Sequence, residues 1–322
     1  MNVTTVAHQH DKPGAAGTRT LGLIGAPSDV AAGCRGATMG PEALRVAGLG
    51  DVLAGLGYSV NDRGNLSGPV NPGGPRGNGY RHLTETTEWV RLVRDEVGAS
   101  LAAKELPILM GGDHSLSIGS IGAVARHCHD TGTPLSVLWL DAHADFNTAE
   151  TSPSGNIHGM PVAVLCGDGP EELLSLGHTR PMLDPDHLVQ VGVRSVDMVE
   201  KRKVVERRLR VFDMRTIDEI GMRAAMERAL EAVSRVGGHL HVSFDADFVD
   251  PSAAPGVGTP VAGGPNYREA QLCMEMIYDS GLLGSLDIVE VNPALDWRNS
   301  TAELAVDLVK SLFGERILAR VL

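Results

Sequence analysis

Three short clusters in this sequence carry side chains whose types and spacing could bind a metal. They are Gly-Gly-Asp-His-Ser at 111–115, Asp-Ala-His-Ala-Asp at 141–145 and Asp-Ala-Asp at 245–247. An isolated Asp-X-Asp ordinarily caps a turn, and a lone histidine after Gly-Gly-Asp means little more. Asp-X-His-X-Asp is rarer, because an extended chain turns alternate residues to one face. Brought together, His114, Asp141, His143, Asp145, Asp245 and Asp247 would supply two imidazoles and four carboxylates. Carboxylates that close repel by roughly 4 kcal/mol per pair at ~4 Å for an effective dielectric near 20, so without cations some would stay protonated. Two divalent ions balance four carboxylates in formal charge. Mixed carboxylate and imidazole ligands without thiolate suit octahedral Mn²⁺, with Fe²⁺, Co²⁺ and Zn²⁺ as competitors. No cysteine lies in the clusters, which argues against a structural zinc of the four-cysteine type.

Each cluster follows an apolar run: Pro107–Met110, Val137–Leu140 and His241–Phe244. Runs of this length separated by helix-sized segments read as buried parallel strands, and ligands of open α/β sheets sit beyond the carboxyl ends of the strands. Further strands are predicted at 21–25, 188–193 and 286–291, and helices from about Pro41 and over 84–103, 115–129, 217–236, 266–280 and 301–313. The stretch 64–79, rich in glycine and proline, reads as a surface loop. It neither follows a strand nor carries Gly-Lys-Ser/Thr, so it is no phosphate-binding loop. Strands and helices alternate with no composition break or internal repeat. The expected fold is α/β: a single three-layer α/β/α domain over 20–322 with a mostly parallel sheet and the metal site at its C-terminal strand ends.

The chain has 322 residues, enough to bury a sizeable core, and its 4% aromatic content leaves that core to aliphatic side chains and Met. A net charge of −12 argues against nucleic acid or an anionic membrane as partner and would help attract a cationic substrate. Cys34, Cys128, Cys166 and Cys273 are scattered without a CxxC pair, which fits reduced thiols. No stretch approaches the roughly 18 apolar residues of a membrane helix. Residues 1–19 are polar, lack the apolar core of a signal peptide and read as a disordered tail. These features place the protein in the cytoplasm.

The motifs GGDHS (111–115), DAHADFN (141–147), SGNIHGMP (154–161), SFDADFVDP (243–251) and DIVEVNP (287–293) resemble the arginase/agmatinase (ureohydrolase) family. The resemblance runs from about residue 21 to the C-terminus and includes GVGTP at 256–260 and the closing TAE helix at 301–303. Within the family, the loop 147–159 is most like that of bacterial arginases. The resemblance implies an arginase-like fold and two Mn²⁺ per subunit. It assigns His114, Asp141, Asp145 and Asp245 to one ion and Asp141, His143, Asp245 and Asp247 to the other.

It also implies hydrolysis of L-arginine to L-ornithine and urea, by attack of a metal-bridging hydroxide on the guanidinium carbon. Asn147 and Ser154 would hydrogen-bond the α-carboxylate, assisted by the backbone near Asn156, and Asp197 would meet the α-ammonium. Glu200 is placed to help at the amino end, and Thr259 falls among the substrate-side residues. Glu290 would pair with the guanidinium, while Asp145 and His158 would handle the proton of the leaving amine. Ser195 departs from the acidic residue that animal arginases carry there. His241 and Ser243 share strand parity with Asp245, as outer partners of the ligands or as packing. The nearest rival is a hydrolase of agmatine or guanidinobutyrate, but agmatine has no carboxylate to use Asn147 and Ser154. A degenerate metal-binding regulator would not need His158 and Glu290, and a dinuclear phosphoesterase would need basic residues at the strand ends. The resemblance further implies a homo-oligomer, trimer or hexamer.

Overall fold

The computed structural model describes residues 19–73 and 79–318, so nearly all of the expected tail and residues 74–78 of the 64–79 loop lie outside the described residues. Eight strands form one sheet: β1 (Thr20–Gly25), β2 (Ser59–Asn65), β3 (Leu106–Met110), β4 (Leu135–Leu140), β5 (Leu188–Val191), β6 (Arg210–Phe212), β7 (His239–Asp245) and β8 (Leu283–Val289). Their order is β2-β1-β3-β8-β7-β4-β5-β6, and every pairing is parallel. The helices are α1 (Gly40–Val46), α2 (Leu49–Gly55), α3 (Leu83–Ala102), α4 (Ser117–Thr131), α5 (Pro161–Leu165), α6 (Glu171–Leu174), α7 (Met198–Glu206), α8 (Met214–Ile220), α9 (Met222–Val236), α10 (Tyr267–Ser280) and α11 (Ser300–Leu312).

Two apolar layers hold the sandwich. Helices α3 to α6 bury one face of the sheet, with Trp89, Val93 and Val97 of α3 spaced four apart. Helices α1, α2 and α8 to α11 bury the other, where Leu44, Leu53, Ala229, Ile277 and Leu308 pack. Each large aliphatic side chain enclosed this way contributes about 1.5–3 kcal/mol. Strands β3, β4 and β8 are buried throughout, which is why β3 and β4 read as mostly apolar runs, while β8 also buries Ser285 and Asp287.

Several boundaries differ from the sequence expectation, each for a local reason. The helix expected over 217–236 is two helices, because Gly221 adopts φ 84° between them. The helix from Pro41 likewise breaks at Gly48, also at φ 84°. The strand expected over 286–291 starts at Leu283 and stops at Val289, since Glu290 has φ 62°. Strands β2 and β6 were not expected; β2 is a largely exposed edge strand, Ser-Val-Asn-Asp-Arg-Gly-Asn, with no apolar run to betray it. Helix α7 was also not expected, and it carries mostly exposed, charged residues.

The sheet order places the three clusters. Strands β3, β8, β7 and β4 are neighbours at its centre. Leu140 pairs with Phe244, and Asp245 pairs with Val289. Continuing those registers sets Asp141 beside Asp245 and Glu290 one residue beyond.

Candidate metal centre

The turn after β3 is built for close approach. A Cβ on Gly112 would lie 1.7 Å from the Ser28 carbonyl oxygen, so only glycine fits. Asp113 follows and accepts hydrogen bonds from the backbone N–H of Ser115 and of Ala31, both at 3.1 Å. This capping carboxylate starts a turn of 3₁₀ helix, His114–Leu116, that runs into α4. His114 is thereby fixed at the strand end and buried.

The Nδ1 atom of His114 lies 3.1 Å from Asp141 Oδ2, 3.2 Å from Asp145 Oδ2 and 2.9 Å from Asp245 Oδ2. It nevertheless makes no hydrogen bond to any of them and is a buried, unpartnered nitrogen. Ligand atoms of His114, Asp141 and Asp245 lie within 4.8 Å of one another, and an imidazole nitrogen left unsatisfied among them is what a bound cation would use. The other ring nitrogen, Nε2, is 2.8 Å from Ser243 Oγ, the kind of outer contact that fixes ring orientation. A second set adjoins it: His143 Nδ1 lies 3.1 Å from Asp247 Oδ2 and 3.5 Å from Asp141 Oδ1. Asp141 thus belongs to both sets, one oxygen to each. Asp145 holds φ 50°, a left-handed conformation that costs a non-glycine residue about 1 kcal/mol or more.

The electrostatics of the cluster call for positive charge. Burial opposes a charged His143, yet the carboxylates of Asp141 and Asp247 prevail and push it up to about 12. Burial, reinforced by the Asp141 charge, raises Asp145 to about 6. Asp245 and Asp247 are raised for the same two reasons, burial first and neighbouring carboxylates second. Divalent cations relieve this crowding, and a donor set of imidazole and carboxylate without thiolate fits first-row ions of the manganese type. The residues present therefore fit a metal pair. On the protein surface, His129, Asp130 and His178 also bring three ligand atoms within 4.8 Å of one another, but Arg126 already pairs with Asp130 at 3.7 Å.

A cavity of about 240 Å³ opens over the cluster. Its walls include Asn147, Ser154, Asn156, Asp197, Glu200 and Thr259, together with His158 and Glu290. The structure thus brings every residue expected on the substrate side to one space, although their immediate partners differ. The Asn147 amide donates to Asp197 Oδ2 at 3.1 Å. Ser154 Oγ accepts from the Asn156 N–H at 3.2 Å, and Asn156 Oδ1 is buried without a partner. Glu200 accepts two backbone N–H groups, Phe146 at 2.8 Å and Asp197 at 3.0 Å, which ties the start of α7 to the loop. Burial raises Glu200 to about 7. Thr259 donates to the carboxylate of Asp247 at 3.1 Å.

His158 Nδ1 lies 2.9 Å from Glu290 Oε1. Burial works against its charge, but Glu290 outweighs that and raises the imidazole to about 9. Ser195, noted in the sequence for its departure from an acidic residue, lines the cavity, and so does Ser152, which was not singled out. Nothing in the type or spacing of Ser152 sets it apart from an ordinary loop serine. Trp139 was missed for another reason: in an apolar run it reads as core, though it shares strand parity with Asp141.

A family model described as the arginase family matches residues 19–314. An arginase from Bacillus subtilis is 42% identical over 301 residues, covering 93% of this chain and 99% of the relative. One from Agrobacterium fabrum is 43% identical over 304 residues, covering 94% of this chain and 93% of the relative. The solved structure of an arginase from Bacillus caldovelox superposes with a TM-score of 0.89 at 40% identity, covering 93% of this chain and 100% of that one.

Proposed function

The chain belongs to the arginase family, and from that premise we propose that it hydrolyses L-arginine to L-ornithine and urea with two Mn²⁺ ions. The observation that carries this reading is the shared cavity. Crowded imidazoles and carboxylates form its floor, while neutral amide and hydroxyl donors and an aspartate form its rim. A guanidinium placed over the floor and an amino-acid head group at the rim use both.

His114, Asp141, Asp145 and Asp245 would hold one ion, and Asp141, His143, Asp245 and Asp247 the other. Bound divalent cations supply a nucleophilic oxygen near neutral pH and stabilise developing negative charge. The protein's own residues do the rest. Glu290, held below the usual carboxylate range by His158 despite burial, offers an ionised fork to the planar guanidinium. Asn147 and Ser154, with the backbone near Asn156, receive the α-carboxylate, and Asp197 receives the α-ammonium. Glu200 acts at the same end through the backbone of Phe146 and Asp197 that it holds, and Thr259 acts on the substrate side through Asp247 at the floor. His158, raised against burial by the carboxylate of Glu290, keeps a proton ready for the departing ornithine nitrogen, and Asp145 relays one from the floor. Holding the reacting groups in register contributes the proximity advantage.

The proposal includes a homo-oligomer, trimer or hexamer, and a cytoplasmic location. Among the described residues, no helix is long and apolar enough to cross a membrane. Urea release from L-arginine, agmatine and 4-guanidinobutyrate after incubation with Mn²⁺ tests the substrate. Preference for arginine supports the head-group residues; preference for either of the others keeps the metal centre and overturns that assignment.

A further inference from the structure

We propose that Thr151 is a positioning residue for substrate selection, locking the Asn147 amide so that its N–H₂ end faces the amino-acid head group. The inference rests on the arginine-hydrolase reading and adds to it a residue outside the expected contact set. The two ends of an asparagine amide are alike in shape, so hydrogen bonds alone decide which end faces a cavity. A carboxylate needs the donor end; the carbonyl end would repel it.

Thr151 Oγ1 accepts the backbone N–H of Thr148 at 2.8 Å. Its single proton then goes to Asn147 Oδ1 at 2.9 Å, a better partner than the Thr148 carbonyl at 3.4 Å. At the other end of the amide, Nδ2 gives one proton to Asp197 Oδ2 at 3.1 Å. The second proton on Nδ2 stays free for the substrate. Thr151, Asn147 and Asp197 therefore form one chain that joins the expected carboxylate donor to the expected ammonium acceptor. Lys203 of α7 braces the same turn by donating to Thr148 Oγ1 at 3.0 Å. None of these contacts involves Glu290 or a residue of the metal cluster, so loss of the Thr151 hydroxyl should weaken head-group recognition without touching the guanidinium end.

The test is Thr151→Val, which keeps the branched shape and removes the hydroxyl, with Thr151→Ser restoring it. KM and kcat for L-arginine are measured on the Mn²⁺-loaded proteins, together with the binding of agmatine as substrate or competitive inhibitor. Metal content and Tm check that each variant is folded and loaded. The expected result for the valine variant is a KM for arginine about five- to tenfold higher, kcat within twofold, agmatine binding within twofold, and recovery in the serine variant. An unchanged KM, an equal loss for both ligands, or no recovery with serine would overturn the assignment of Thr151. A wild-type protein that fails to distinguish arginine from agmatine would instead overturn the head-group reading itself, and this inference with it.

Discussion

The rings of His114 and Trp139 lie stacked, centroids 4.1 Å apart and 8° from parallel, while Trp139 Nε1 donates to Asp141 Oδ2 at 2.8 Å. One buried side chain thus orients two of the proposed metal ligands. Trp139→Phe keeps an aromatic face for the stack and removes the N–H. Outer partners of this kind typically carry 10–100-fold in metal affinity, so Mn²⁺ binding should weaken about tenfold, as read by competition with a chelator. Unchanged affinity would reduce Trp139 to packing.

The ligands and the rim should fail differently. Asp247→Ala removes a carboxylate from the second ion and is expected to abolish turnover together with one equivalent of bound metal. Asn147→Ala leaves the cluster intact and loses a hydrogen bond to a charged group, about 1.5–3 kcal/mol. Its KM for arginine should rise roughly 10–100-fold with metal content unchanged. Full turnover by the Asp247 variant with two ions bound would show that the site is misassigned.

Metal binding should also stabilise the fold. Ions that bind the folded chain at a hundred times their Kd contribute about 2.7 kcal/mol, which for a domain of this size raises Tm on the order of 5 °C. Differential scanning of chelated and Mn²⁺-loaded protein reads this directly. Equal Tm values would contradict a preorganised, charge-crowded centre.

A pH effect is expected away from the centre. Burial chiefly, helped by the charges of His241, His127 and Arg19, pushes His239 down to about 3. Its imidazole stays neutral in the fold while the unfolded chain binds a proton below its ordinary value near 6.5. Between about pH 6.5 and 3 the unfolded state therefore holds more protons, and stability falls as the pH falls. Urea denaturation at pH 7 and pH 5 should show this loss, and His239→Gln should show less of it. Equal losses in the two proteins would assign the acid sensitivity elsewhere.

The central strands and the clustering of the proposed metal ligands were legible because both leave short-range marks. A strand buried on both faces is mostly apolar, as in Val137–Leu140, and a cluster such as Asp-X-His-X-Asp is visible within five residues. Strand β2 was not legible because an exposed edge strand needs no apolar pattern. Glu290 was placed in a strand that in fact ends one residue earlier, since no sequence pattern announces a left-handed glutamate. The loop residues could be named through the family resemblance, but not their partners. That Glu200 ties down Phe146 and Asp197, or that Thr151 holds Asn147, depends on contacts made only when separate segments meet.

The central claim is that a pair of Mn²⁺ ions in this cluster carries out arginine hydrolysis. Its most direct test is urea release from L-arginine by metal-stripped protein, titrated with Mn²⁺ and plotted against equivalents bound per chain. Activity that climbs and breaks at two equivalents is the expected result. Urea release without added metal, or a break at one equivalent with full activity, would contradict the account.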